Sequence, residues 1–567
     1  MSNKLIAILS LIALVVVILA GFTWYTKQSM TMQANMNSEQ NNDTEVKSDS
    51  NIPSDTSTGG MNMSENTDTP VSGANTVEGL NSHDYAKNLI KPSTGQQIKK
   101  FSLIAKENTI EIKKGLNMPV WTYNGTVPGN EIRVSQGDFV QVELKNELKE
   151  PVTIHWHGYP LKSAMDGVPG LNQDSVKPGE TFTYEFSADV TGTYWYHSHQ
   201  ESAEQVDKGL YGALIVEPIN KEKIDKDYTL ILDEWMENPS EGMESMAGMN
   251  PNSDTNGMSG MDSTTKNEGI SDLQDEEMMS SQYNIYTVNG KSGDLISPLD
   301  VKNGDKVRLR FINAGYRTHG IHIPGQDIKV VSSDGQDING AGLIADQIIM
   351  VAPGERYDIE FTVKSQEDFI IDAHDKNKFN DQLKIPVKVE GSNGKITPES
   401  STAKLQEFDL TSYGIPEKGD FLLDQKFDVD YPVILSTRVD GSNLKYTIND
   451  KVFTELPTLK VKTGDLVKLT YENKSNVDHP MHLHGHFFQI LSKNGKPLTG
   501  AAIIKDSLLI KPGEKYVVAF KADNTGKWVQ HCHELHHASA GMMQAIEYTD
   551  FVPNYIPDPN NKYNKPE

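Results

Sequence analysis

Twelve of the 16 histidines in this 567-residue chain fall in four short clusters. They are His155-Trp-His157, His197-Ser-His199, His479-Pro-Met-His482-Leu-His484-Gly-His486 and His531-Cys532-His533-Glu-Leu-His536-His537. On a strand, His-x-His sets two imidazoles on the same face. That geometry suits two ligands of one metal or of neighbouring metals. One such pair is weak evidence, because surface histidines are common. Four pairs in one chain, at matched places in two repeats, are strong. The single cysteine, Cys532, lies inside the last cluster, so it forms no intramolecular disulfide and is either buried filler or chemically employed.

The elements that must position these residues recur three times. Val134 to Leu144, Val301 to Phe311 and Val461 to Tyr471 each read as a Gly-Asp turn feeding an alternating strand. An asparagine follows each copy: Asn146, Asn313 and Asn473. Downstream, Val176-Lys-Pro-Gly-Glu180, Val351-Ala-Pro-Gly-Glu355 and Ile510-Lys-Pro-Gly-Glu514 each precede a second strand. Asn146 lies nine residues before His155, and Asn473 nine before His482. Gly179 lies 18 before His197, and Gly513 18 before His531. The first and third repeats therefore supply two His-x-His pairs each, eight imidazoles in a pseudo-symmetric arrangement that predicts a metal cluster at their interface. In the second repeat, His322 and His374 occupy matching offsets but have no His-x-His partner, and His319 is three residues from His322. All three are expected to be structural. Beyond the eight, His479, Cys532, His537 and Met542 remain: two imidazoles, a thiolate and a thioether, the ligand set of a blue-copper centre. His-rich sites also bind zinc, so ligand type alone does not fix the metal. The mixed set beside eight imidazoles favours copper.

The repeat period, 167 and then 160 residues between the glycines Gly137, Gly304 and Gly464, is too long for a solenoid. It predicts an all-β fold of three related Greek-key β-sandwich domains. We expect domain 1 over 96–225, a Met-rich linker over 226–282, domain 2 over 283–400 without copper, and domain 3 over 401–567 with the mononuclear site. Eight of the 20 methionines lie between Met236 and Met279, in a segment without periodicity. Residues 28–95 are a polar tether, read as disordered, whose methionines are either spacer or soft-metal ligands. Residues 1–27 contain the apolar run Leu5 to Phe22, a membrane anchor or a cleaved signal. Either places the remainder outside the cytoplasm, anchored to the outer face of the membrane or secreted. The formal charge of −25 argues against a nucleic-acid partner.

From about residue 100 to 552 these motifs resemble the multicopper oxidases, the family of laccases, bacterial cuprous oxidases and ascorbate oxidase. The resemblance implies three cupredoxin-like domains and four coppers. His479, Cys532 and His537 would bind type 1 copper, with Met542 axial. His155 and His482 would bind type 2 copper. His157, His197, His199, His484, His531 and His533 would hold the type 3 pair. His486 and His536 fall at non-ligand positions. Asp166, in Met165-Asp166-Gly167, resembles the family acid near type 2 copper that helps deliver protons; with Cys532 it is the candidate catalytic residue. Some bacterial members carry an acid just after the second type 1 histidine, where this chain has Ala538; Glu534 is nearby.

The implied reaction couples one-electron oxidation of a donor to reduction of O2 to two waters. The motifs Met243-Glu-Ser-Met246-Ala-Gly-Met249 and Met258-Ser-Gly-Met261 resemble the Met-rich segments of cuprous oxidases, so Cu(I) is the expected donor, in copper tolerance. Phenols or aromatic amines, oxidised as by a laccase, are the alternative small organic donors, with iron or manganese behind them. A non-catalytic copper-binding protein would not need an O2-reducing cluster. A copper nitrite reductase lacks a type 3 pair.

Overall fold

The repeat elements fold alike for a visible reason. Gly137, Gly304 and Gly464 sit at φ 89°, 92° and 91°, in the left-handed region. The aspartate after each, Asp138, Asp305 and Asp465, accepts a hydrogen bond from the backbone N–H three residues upstream, at 2.9, 2.9 and 2.8 Å. The strands Phe139–Asn146, Lys306–Asn313 and Leu466–Asn473 follow and end on the repeat asparagine. That buried side chain donates from Nδ2 to two carbonyls. Asn146 reaches Glu150 and Val176, Asn313 reaches Arg317 and Val351, and Asn473 reaches Val477 and Ile510. The second carbonyl in each pair opens the Pro-Gly element, so one amide ties the two repeat motifs together.

The computed structural model describes residues 90–237, 271–375, 378–396, 405–441, 443–553, 555–557 and 561–566. The N-terminal apolar run, nearly all of the tether and the centre of the Met-rich segment lie outside them. The described residues are mostly β and form six sheets, two per domain. Each domain opens with a strand parallel to its repeat strand: Ile98–Lys113, Lys226–Met236 and Val429–Asp440. Residues 226–236, placed in the linker by the sequence reading, are therefore the first strand of domain 2. Their second half, Leu230 to Met236, is buried at every position. A strand covered on both faces loses the alternation that would have announced it. The far end of the insertion also differs from the expectation. Asp272–Gln282 is a helix, opened by a capping box in which Ser271 and Gln274 bond reciprocally. Among the described residues no helix is long and apolar enough to cross a membrane.

In each domain the second sheet carries the histidine strands. His155–His157 pairs with Gly192–His197 so that His155 faces His197. His479–Leu483 pairs with Lys527–Cys532 so that His482 faces His531. In domain 2 the same register sets His322 opposite Asp372, not a histidine.

The domain 2 asparagine tests the repeat logic away from the metal centre. Asn313→Ala removes two donated bonds and the one accepted from Gly315. We expect unfolding free energy to fall by about 3 kcal/mol, at ~1 kcal/mol per buried bond, read from denaturant unfolding of the metal-free protein. A change under ~0.5 kcal/mol would refute this role.

Candidate metal centre

Eight imidazoles from domains 1 and 3 converge in one buried chamber. His155, His157, His197, His199, His482, His484, His531 and His533 are each at most 2% exposed. Two pairs stack across the interface: His155 on His484, with ring centroids 3.8 Å apart, and His157 on His482, at 3.7 Å. Ligand atoms of His155, His157 and His197 lie within 4.8 Å of one another, as do those of His155, His482 and His484 and those of His199, His484 and His531.

Hydrogen bonds decide which nitrogen of each ring faces the chamber. Nδ1 donates to a backbone carbonyl in His155 (Asp166 O, 2.8 Å), His197 (Ser198 O, 2.8 Å), His482 (Asp506 O, 3.0 Å) and His531 (Cys532 O, 2.9 Å). This fixes the tautomer that carries its lone pair on Nε2. His157 is turned the other way, with Nε2 on Ser507 Oγ at 3.1 Å. The Nε2 atoms of His155, His197, His482 and His533, and Nδ1 of His157, are buried with no hydrogen-bond partner. A buried polar atom left unpaired costs about 1–3 kcal/mol. Five in one chamber fit a site built for metal ions.

Charge agrees. Burial, and then neighbouring imidazoles, hold His157, His197, His484, His531 and His533 well below the usual histidine range. Burial likewise pushes His199 down to about 3. The rings are neutral at ordinary pH, the form that binds metal.

Two carboxylates flank the chamber. Asp166 Oδ2 accepts from His484 Nδ1 at 2.9 Å, and Oδ1 lies 3.2 Å from His155 Nδ1. One side chain thus spans domains 1 and 3. Its neighbour must be glycine: Gly167 has φ 85°, and a Cβ there would lie 1.9 Å from Ile154 O. Asp506, fully buried, sits with Oδ1 3.4 Å from both His157 Nε2 and His482 Nδ1. Burial alone would raise its pKa, but the Arg356 guanidinium, bidentate at 2.7 and 2.6 Å, holds it well below the carboxylate range. Arg356 comes from domain 2. No local motif marked Arg356, Asp506 or Ser507 in the sequence.

The mononuclear constellation also assembles. Cys532 Sγ lies 3.7 Å from Nδ1 of both His479 and His537. Ser475 Oγ holds His479 Nε2 at 2.8 Å, and Glu534 Oε2 holds His537 Nε2 at 3.0 Å, so both rings present Nδ1 to the sulfur. Glu534 also caps the helix Leu535–Ser539 through the His536 and His537 N–H groups. Its carboxylate thus serves the mononuclear site. Met542, fully buried, is drawn in by two backbone bonds, its O accepting from Cys532 N and its N–H donating to His537 O, both 3.0 Å. Ala538 is a buried helix residue.

The remaining histidines have other partners. His486 bonds His484 O and the Tyr548 hydroxyl. His536 contacts Tyr283 and Asp207; burial opposes its charge, but Asp207 raises it to about 9. His319 pairs with Glu234, and His322 and His374 share Asp372 Oδ1 at 3.0 and 3.2 Å.

Arg356→Met leaves Asp506 buried without its counter-charge, which costs about 3–5 kcal/mol. We expect a lower unfolding temperature together with weaker metal retention at the eight-imidazole chamber. Thermal unfolding and metal content, measured on one preparation, check this; wild-type values for both would contradict it.

Three multicopper oxidase family models match residues 104–221, 226–393 and 428–550, together well over half the chain. The multicopper oxidase MmcO of Mycobacterium tuberculosis is 30% identical over 440 residues, covering 75% of this chain and 82% of that protein. Copper resistance protein A of Escherichia coli is 25% identical over 565 residues, covering 79% and 92%. A crystal structure of a multi-copper oxidase from Pseudomonas thermotolerans aligns with a TM-score of 0.57 at 27% identity, covering 80% of this chain and all of that one. Copper as the bound metal explains why so many buried imidazole nitrogens are left without a protein partner, and with three matched domains in order the chain belongs to the multicopper oxidase family.

Proposed function

We propose that this oxidoreductase holds four coppers and takes its electrons from Cu(I). His479, Cys532 and His537, with Met542, would hold the type 1 ion, His155 and His482 the type 2 ion, and the other six imidazoles the type 3 pair. Bound copper supplies one-electron acceptance at the mononuclear site and four-electron reduction of O2 to two waters at the cluster. Four Cu(I) substrate ions leave as Cu(II), and four protons are consumed. Cys532 links the sites covalently, since His531 and His533 are its chain neighbours. Asp166, bonded to His484 Nδ1 and beside His155 Nδ1, is the group through which protons reach the chamber. Leu5 to Phe22 would keep this chemistry outside the cytoplasm, at the membrane's outer face.

One observation carries the choice of donor. The helix that closes the Met-rich insertion, Asp272–Gln282, lies against the mononuclear site. Asp272 accepts from Asn476 N at 2.8 Å. Asp275 Oδ2 accepts at 2.8 Å from the Tyr446 hydroxyl, and the Tyr446 ring stacks on His537 with centroids 3.7 Å apart. Glu276 accepts from Tyr316 at 2.9 Å. The segment that carries the methionine motifs therefore ends beside the electron-entry ligand, with the Asp275 carboxylate one phenol away from His537. Copper resistance protein A, among the relatives, supports the same reading.

Oxygen uptake with Cu(I) or a simple phenol tests it, with Cu(I) autoxidation subtracted. The double substitution Asp275→Asn, Glu276→Gln should lower kcat/KM for Cu(I) about tenfold, ~1.4 kcal/mol of barrier, and leave phenol within about twofold. Equal losses on both donors would overturn the Cu(I) reading in favour of laccase-like oxidation.

A further inference from the structure

The C-terminal strap ends on the metal chamber. Beyond the last strand of domain 3, Met543–Tyr548, the chain returns to domain 1, and Asn561 to Pro566 runs along its surface. The Pro566 carbonyl accepts from His199 Nδ1 at 2.9 Å. This is the bond that in His155, His197, His482 and His531 is made by a carbonyl at most 24 residues away. For His199 the acceptor is 367 residues distant, in the strap.

We propose that the strap is a positioning element of the copper cluster: Pro566 fixes the tautomer and ring orientation of His199, so that Nε2 stays available to its metal. The strap is fastened for this task. The Lys565 carbonyl accepts from Glu201 N at 2.9 Å, two residues beyond His199. Asn564 Oδ1 accepts from Ser175 N at 2.9 Å. A single carboxylate oxygen, Asp174 Oδ1, collects three donors from this end of the chain: Tyr555 Oη at 2.8 Å, Asn561 Nδ2 at 3.2 Å and Asn564 Nδ2 at 2.8 Å. Asp174 belongs to the loop between the two His-x-His pairs of domain 1, so strap and ligands are fixed to the same domain. Groups that orient a metal-bound imidazole typically govern metal affinity by 10–100-fold.

The inference rests on copper filling the eight-imidazole chamber, and not on the identity of the donor. The test compares the full chain, a chain ending at Asn561, and full-length Asp174→Ala, which keeps the strap and loosens its anchor. Each is loaded with copper and dialysed against a graded copper chelator. Copper per chain is read beside the thiolate-to-copper absorption of Cys532. Both variants should release copper from the chamber roughly 10–100-fold more readily, with the Cys532 absorption retained and Asp174→Ala the milder. Unchanged release would overturn the proposal. So would parallel loss of the Cys532 absorption, which would make the strap a general stabilising element. The full chain checks chamber occupancy separately: if it holds only the Cys532 copper, that reading fails and takes the strap's role with it.

Discussion

The fold is organised around unpaired lone pairs. Buried imidazole nitrogens such as His155 Nε2 and His157 Nδ1 face one chamber without a protein partner. Each is unfavourable in the metal-free chain, and in His155, His157, His197 and His482 the opposite nitrogen is tied elsewhere, so those rings cannot turn to relieve it. Cross-strand pairing fixes where the rings start, carbonyls and Ser507 fix which nitrogen points inward, and burial keeps rings such as His157 and His197 neutral. Metal binding then satisfies many groups at once, which couples copper loading to the stability of the interface between the first and third domains.

The second domain shows how a repeat without the histidine pairs still serves the site. Its strand register puts Asp372 where the other domains put a histidine. Its Pro-Gly turn packs Gly354 against His533 and His157, where a Cβ would come within 2.8 Å of the His533 ring. Two residues later, Arg356 crosses to Asp506 and fixes the charge beside His157 and His482. The second domain thus contributes packing and a counter-ion, and the chamber depends on all three domains.

Much of this was legible in the sequence, because it depends on local spacing. His-x-His on a strand is a period-two signal. The offset of nine from asparagine to histidine survives because the asparagine amide and the histidine strand are parts of one turn geometry, repeated in Asn146, Asn313 and Asn473. The mononuclear set was readable because Cys532 has no rival in the chain. What escaped depends on long-range contact. Arg356 and Asp506 are 150 residues apart, and although Arg356 opens the strand after the domain 2 Pro-Gly turn, nothing in that repeat marks a partner in domain 3. Pro566 acts through its backbone and carries no side-chain signature. The strand Lys226–Met236 hid because both its faces are covered. The helix Asp272–Gln282 hid because its capping box follows a Met-rich stretch without periodicity.

The chamber between the first and third domains and the site at Cys532 are two separate places for copper. Anomalous diffraction from copper-loaded crystals, collected at the copper edge, tests this most directly. Three peaks enclosed by the eight imidazoles and a fourth between His479, Cys532 and His537 are expected. An empty chamber, or a single peak at Cys532 alone, would contradict it.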